Sequence, residues 1–201
     1  MSGLIDRPRF FVNQKTKLVE LTNEYRILDP EGNQIGLIRQ EGQSALKKLA
    51  RFVSSLDQFM THRLAVYDAD GSPVLTVTRP RKFVKSRLEV EDGAGRPVGT
   101  IVQRNVFGKI RFGLEDPAGS PLGEIRAENW RAWDFSIVDG TEREVARITK
   151  KWEGLARTLF TTADNYLVEL DPGLRGPLRQ LAFAAATGID TALKQDARGF
   201  N

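Results

Sequence analysis

A four-residue turn pattern repeats along this 201-residue chain and sets narrow limits on its fold. Aspartate occupies the first position and glycine the fourth, which is the chemistry of a type I turn whose carboxylate caps backbone amides. Each copy is flanked by two short β-prone segments, so the pattern predicts five antiparallel hairpins, or ten strands. Four full copies and a degenerate fifth begin at Asp29, Asp68, Asp92, Asp116 and Asp139.

The flanking segments alternate between apolar and charged residues, as in Leu88-Glu89-Val90, which is typical of an antiparallel sheet with one wet face. Residues 9–12 and 165–170 are β-prone as well and raise the expected number of strands to about 12. Many short strands joined by regular turns indicate a sandwich or a barrel. A propeller fits less well, because each blade needs four strands and roughly 40 residues, whereas the repeating unit here is a hairpin.

Two segments have helical periodicity instead. Residues 44–59 predict a short helix capped by Ser44, and residues from Gly176 to about 194 predict a second one that is apolar on nearly all sides. Only ten uncharged residues separate Arg179 from Asp190, whereas a membrane span needs about 20. Because a helix that is apolar all round must be enclosed, we predict that the second helix fills the bore of a barrel.

Composition excludes several kinds of chemistry. The chain has no cysteine and one histidine, His62, so disulfides, thiolate metal sites and histidine metal clusters are excluded. No phosphate-binding loop or dinucleotide fingerprint is present, and we expect no enzymatic activity. The formal net charge of +4 favours anionic surfaces mildly. A dedicated nucleic-acid binder shows a denser basic patch, so nucleic acid is not an expected partner.

The N-terminal residues show neither a signal-peptide pattern nor the glycine that N-myristoylation requires at position 2. We therefore expect a cytoplasmic protein. Residues 1–201 are expected to form a single domain, since all-β barrels often reach this length undivided.

The last fifty residues contain three motifs in a distinctive order. They are Lys-Lys-Trp-Glu-Gly at 150–154, Phe-Thr-Thr-Ala-Asp-Asn-Tyr at 160–166 and Gly-Ile-Asp at 188–190. Through these motifs and two upstream strands the chain resembles the phospholipid scramblase family over about residues 25–194. The resemblance implies a tubby-like closed antiparallel barrel around a central C-terminal helix, a fold shared with plant LURP-one-related proteins. The same architecture is predicted by the strand count.

The resemblance also implies a function. A protein of this kind would act peripherally at the inner face of the plasma membrane, bind anionic phospholipid and let lipids exchange leaflets without ATP. The alternative is a non-transporting tubby-like module that binds anionic lipid or a protein partner. A barrel that holds a small ligand is a third hypothesis, but the all-round apolar helix argues against it.

A calcium-binding segment is a further implication of the resemblance, and this chain departs from it at two positions. Thr162 and Gly173 stand where the family has acidic residues. Asp164, Asn165 and Asp171 remain as candidate ligands. Because calcium prefers about 6–8 oxygen ligands, we expect a weakened or lost site and no firmly held cofactor. Alternatively, Asp164 and Asn165 serve only as turn residues.

Two basic clusters are candidate contacts for lipid headgroups, since each basic residue near an anionic surface contributes about 1 kcal/mol. The first cluster consists of Lys47, Lys48 and Arg51 on the short helix, with Arg63 nearby. The second consists of Arg81, Lys82 and Lys85, flanked by Arg79 and Arg87. The alternative is that these residues form a solvated helix face and strand-edge charges that oppose aggregation. Trp130 and Trp133 are candidate interfacial anchors.

Overall fold

Twelve strands form one closed antiparallel barrel in the computed structural model, which describes residues 3–13, 24–41, 62–80, 87–105, 111–129, 134–150 and 165–196. The strands are β1 (Arg9–Asn13), β2 (Glu24–Leu28), β3 (Gln34–Glu41), β4 (His62–Asp68), β5 (Pro73–Arg79), β6 (Arg87–Asp92), β7 (Pro97–Gln103), β8 (Arg111–Glu115), β9 (Pro121–Asn129), β10 (Asp134–Asp139), β11 (Glu144–Thr149) and β12 (Asn165–Leu170). A 3-10 turn (Leu4–Asp6) precedes β1, and helix α1 (Gly176–Asp196) follows β12. The predicted short helix at 44–59 lies outside the described residues.

Each strand pairs with its neighbour in the sequence, and β1 closes the barrel against β12, with Phe11 opposite Leu167. Inward-facing side chains such as Val90, Leu114 and Ile137 are 0–1% exposed, because successive side chains alternate between the two faces of a strand. The expectation of a twelve-strand closed barrel is confirmed. The ring of pairing leaves no edge among these strands, which removes a common route to aggregation.

The hairpin turns have the geometry that their sequence predicts. In the first one, the Gly32 amide donates to the Asp29 carbonyl at 3.0 Å, and the Asp29 carboxylate accepts from the amides of Glu31 and Asn33 at 3.0 and 2.8 Å. Gly32 is left-handed at φ +88°, which completes a three-residue hairpin loop built from a type I turn and a glycine bulge.

The fifth turn shares this frame despite its different sequence. The amide of Glu142 donates to the Asp139 carbonyl at 3.0 Å, and Glu142 itself takes the left-handed conformation at φ 66°. The glycine of the sequence pattern, Gly140, is displaced by two positions from the place where the turn needs one. Glu142 is the one non-glycine residue with positive φ in the described ranges.

Helix α1 runs inside the barrel. The five side chains from residue 181 to 185 are fully buried, and the Phe183 ring lies 4.8 Å from that of Phe10, centroid to centroid. The small alanines between them allow the helix to fit within the ring of strands. Close approach of the wall also needs Gly99, where a Cβ would lie 2.1 Å from the Glu115 carbonyl oxygen and 3.2 Å from Leu181. The prediction of a central helix is confirmed.

The alternating strand directions give the barrel two different ends. The five hairpin turns all lie at one end, which we call the tight-turn end. The other six connections, of four to 20 residues, start and finish at the opposite end, which we call the long-connection end. A seven-residue strand separates the two by about 23 Å along its length. Helix α1 enters from the tight-turn end, because β12 ends there at Leu170.

Candidate functional site

The side chains of α1 from Leu181 to Thr187 are buried inside the bore, with 0–6% of their surface exposed. The tight-turn end of the bore is closed by Arg179, which is 3% exposed. The guanidinium donates to the carbonyls of Ile5, Arg7, Asp171 and Leu174 at 2.7–3.2 Å. Burial lowers the pKa of this guanidinium, since removal of water disfavours its charge. These contacts argue against the small-ligand hypothesis and direct attention to the outside of the barrel.

The candidate calcium residues are not brought together. Asn165 begins β12 and Asp171 follows its end, so the extended strand holds the two backbones about 20 Å apart. Asp171 instead organises a turn, where its carboxylate accepts from the Gly173 amide at 2.6 Å and from Arg143 at 3.0 Å. Asp164 lies outside the described residues. Within the described ranges no group of three or more His, Cys, Asp or Glu side chains could hold a metal ion.

Charge is distributed unevenly between the two kinds of connection in the sequence. The five tight turns contain eight acidic and two basic residues, whereas the six long connections contain 14 basic and four acidic ones. The turns comprise residues 29–33, 68–72, 92–96, 116–120 and 139–143. The connections comprise residues 14–23, 42–61, 80–86, 104–110, 130–133 and 150–164. The small overall excess of +4 therefore conceals a much larger separation of charge.

Four adjacent strands carry an arginine at the long-connection end. We call this group the arginine rim; its members are Arg79, Arg87, Arg104 and Arg111. The backbone amide of Arg104 donates to the carbonyl of Arg111 at 2.8 Å, which places these two residues side by side on neighbouring chains. Arg79 is buried at 3% exposure, whereas the side chains of the other three are 47–57% exposed.

The exposed members of the rim have carboxylate partners on the outer wall. Nitrogen-to-oxygen distances are 3.7 Å for Arg87–Glu89, 2.8 Å for Arg104–Glu115 and 3.1 Å for Arg111–Glu124. The Arg87–Glu89 pair is exposed on both sides and contributes only about 0–1 kcal/mol, because water competes with both partners. The carboxylates of Glu115 and Glu124 are more shielded, with side chains 17% and 24% exposed. A phosphate group can therefore replace the Glu89 carboxylate at small cost.

Sequence reasoning found part of this rim. It singled out Arg79 and Arg87, which flank the densest basic run, but not Arg104 and Arg111, which stand alone in the sequence. The successive pairing of β5, β6, β7 and β8 brings all four to one end, a relation that only strand pairing reveals. Arg63 also lies at this end, on β4, with Glu41 at 3.5 Å.

Most of the other predicted site residues lie outside the described residues. This holds for both lysine-rich clusters and for the two candidate tryptophan anchors: Lys47, Lys48, Arg51, Arg81, Lys82, Lys85, Trp130 and Trp133. Chain connectivity nevertheless attaches each of these segments, at both of its ends, to strands that finish at the long-connection end. Among the helical residues described, none forms a helix with the length and apolar character that crossing a bilayer requires.

Comparisons with known proteins agree with this architecture. A family model described as "Scramblase" matches residues 2–193. The X-ray structure of a protein from Arabidopsis thaliana superimposes with a TM-score of 0.52 and covers 94% of this chain and 96% of that one. Sequence identity to the plant protein is 13%, so this likeness concerns the fold alone. No curated protein matches the chain.

Proposed function

Since this chain belongs to the scramblase family, we propose that it binds anionic phospholipid bilayers as a peripheral protein of the inner membrane face. The proposed activity at that surface is ATP-independent movement of lipid between leaflets. Neither role needs a chemical step, a cofactor or a bound metal. The observation that carries the proposal is the arginine rim at one end of the barrel, together with the 14 basic residues of the six connections that start and finish at that end.

The size of this charge excess is adequate for membrane binding. Each basic residue near an anionic surface contributes about 1 kcal/mol. About half of the 14 basic residues in the connections would thus supply roughly 7 kcal/mol, equivalent to a dissociation constant of about 10 µM. The two predicted clusters, Lys47/Lys48/Arg51 and Arg81/Lys82/Lys85, are the proposed principal headgroup contacts.

The filled bore limits how lipid could move. A lipid that passed through the barrel would have to displace α1, which buries the Phe183 side chain and holds Arg179 on four carbonyls. Displacing α1 would therefore cost much of the stability of the barrel, since burying an aromatic side chain alone contributes about 1.5–3 kcal/mol. We therefore place the proposed lipid movement outside the bore, where the docked long-connection end disturbs the bilayer.

A second candidate function is a module that binds anionic lipid, or a protein partner, without transport. The enclosed Arg179 and the helix that occupies the bore favour it over a channel through the barrel. The two candidates make the same prediction for binding and opposite predictions for lipid exchange.

Flotation of the purified protein with vesicles is the first test. Phosphatidylcholine vesicles with and without phosphatidylserine are compared, each with calcium or with a chelator. We expect binding only to the anionic vesicles, weaker at high salt because exposed charges are screened. The triple variants K47Q/K48Q/R51Q and R81Q/K82Q/K85Q should each bind less. A requirement for calcium would show that a site survives despite Thr162 and Gly173.

Leaflet exchange of a labelled lipid in the same vesicles then separates the two candidates. Exchange that rises with bound protein supports scrambling, whereas binding without exchange supports the non-transporting module. Absence of binding to every vesicle would overturn both and point to a protein partner.

A further inference from the structure

We propose that the barrel docks end-on, with the arginine rim toward an anionic bilayer and the acidic tight-turn end away from it. This inference rests on the proposed function and adds the orientation of the bound protein. It commits to the phosphate-rich surface of a bilayer as the occupant.

The first argument is the position of the cations. Neighbouring strands lie about 4.8 Å apart, so the backbones of the exposed Arg87, Arg104 and Arg111 span an arc of roughly 10 Å at this end, while the Arg79 side chain is buried. No acidic residue terminates any of the four strands β5 to β8 at this end. The guanidinium groups of Arg104 and Arg111 fold down the wall to Glu115 and Glu124, and they turn toward the rim to meet a bilayer.

The second argument is the chemistry of the side chains. A guanidinium presents its donors in a flat fork that matches two phosphate oxygens, and it loses less hydration than an ammonium group. Arg87, Arg104 and Arg111 are about half exposed, so each side chain can turn from its wall carboxylate toward a phosphate at the rim without movement of the backbone. Exchange of a wall carboxylate for a lipid phosphate keeps each cation paired.

The third argument is the opposite charge of the far end. At the tight-turn end the carboxylates of Asp29, Asp92 and Asp139 accept several hydrogen bonds each, which lower their pKa values and keep them ionised near an acidic surface. An anionic bilayer would repel this end. The two ends stand about 23 Å apart along a strand, well beyond the screening length of about 8 Å in physiological salt. Each end therefore interacts with a bilayer independently.

The hairpin β6–β7 provides a matched test, because it has an exposed arginine at each end. Arg87 begins β6 at the rim, and Arg96 lies in the tight turn, with its side chain 80% exposed. The rim variant is R87Q/R111Q. The control variant, R96Q/R143Q, removes the same total charge from the tight-turn end. Flotation with phosphatidylserine-containing vesicles measures the partition of each, after thermal unfolding has shown that both variants fold.

We expect the rim variant to partition about 30-fold less than the wild type, and the control to change by less than about twofold. Equal losses in the two variants would overturn end-on docking in favour of attraction by net charge. A larger loss in the control would reverse the orientation. If the wild-type protein fails to bind, the proposed function itself falls, and that result is distinguishable because it does not depend on the variants.

A second measurement uses the absence of cysteine from the chain. Single substitutions Val102→Cys, opposite Arg87 near the rim, and Ala94→Cys, in the tight turn of the same hairpin, each accept an environment-sensitive dye. We expect the dye at position 102, and not the one at position 94, to report a less polar environment when vesicles are added. The converse response, or equal responses at both positions, would overturn the orientation even if the flotation result agreed with it.

Discussion

The Nε atom of Arg179, on the central helix, donates a hydrogen bond of 2.7 Å to the carbonyl of Ile5, 174 residues earlier in the chain. The same guanidinium reaches Arg7, Asp171 and Leu174, so one side chain joins the N-terminal segment, the turn after β12 and the helix. A cation that is only 3% exposed needs this many carbonyl oxygens to replace its hydration. Arg179 therefore anchors α1 within the barrel at the tight-turn end.

Removal of this side chain should cost much more than removal of an exposed arginine. Arg179→Met leaves four carbonyls without the donor that they now share and should lower the free energy of unfolding by roughly 3 kcal/mol. Urea denaturation measures the change, with Arg96→Met as the control because Arg96 is largely exposed. A loss below about 1 kcal/mol, close to that of an ordinary surface substitution, would contradict the role assigned to Arg179.

A glycine at position 142 should stabilise the protein, because the other four hairpin turns have glycine at the equivalent left-handed position. Glu142→Gly removes the strain of a left-handed non-glycine residue, partly offset by a more flexible unfolded chain and the loss of the exposed pair with Arg126. We expect a net gain of about 0.5 kcal/mol in the free energy of unfolding.

The reciprocal change is Gly119→Ala, in the fourth turn. A Cβ at Gly119 meets no atom within 4 Å, so the strain of an alanine at φ +86° is the source of the expected loss of about 1 kcal/mol in the free energy of unfolding. Thermal and urea unfolding of both variants measure these effects. Opposite signs are expected, and a destabilised Glu142→Gly would show that the contact with Arg126 outweighs the strain.

The carboxyl of Asp139 should titrate unusually low. Its pKa is lowered from 3.8 to about 2, first by the hydrogen bond of 2.6 Å from the Thr141 hydroxyl and next by backbone amides. Because the folded pKa lies below the unfolded one, the stabilising effect of this group is complete above about pH 4. It is lost as the pH falls through 2.

Nuclear magnetic resonance of the carboxyl carbon measures this titration directly. The variant Thr141→Val removes the hydroxyl donor but keeps the backbone amides, so the pKa of Asp139 should move up toward 3.8. An unchanged titration midpoint in the variant would assign the shift to the backbone amides and Arg143 instead.

The filled bore should tolerate no added volume. Ala185 is fully buried on α1, and Ala185→Leu should destabilise the barrel by about 1–3 kcal/mol, since extra methyl groups in a packed core force side chains off their rotamers. Calorimetry of the variant measures the change. An unaffected or raised melting temperature would mean that the bore has spare space, and the small-ligand hypothesis would regain support.

The sequence carried most of the information about the fold because its signals are local. Asp29, Asp92 and Asp116 form their turns with residues no more than four positions away, so the hairpins could be predicted from composition and spacing. Because α1 is apolar on nearly all sides, its enclosed position could likewise be predicted without knowledge of which strands surround it. The left-handed conformation of Glu142 could not be predicted from the sequence, because the hydrogen-bonding pattern of the hairpin turn imposes it against the preference of the residue.

The candidate site was less accessible from the sequence, because it depends on contacts between distant positions. The approach of Arg104 to Arg111, the partners of Arg179 and the separation of Asn165 from Asp171 all follow from which strands pair and in which direction each one runs. The sequence alone does not show at which end of the barrel a basic residue lies. Only the pairing of the strands, which directs every tight turn to one end and the start and finish of every other connection to the opposite end, separates the acidic turns from the arginine rim. The chain itself thus determined the hairpins, the enclosed helix and the small net charge, whereas the direction of that charge was decided by the tertiary structure.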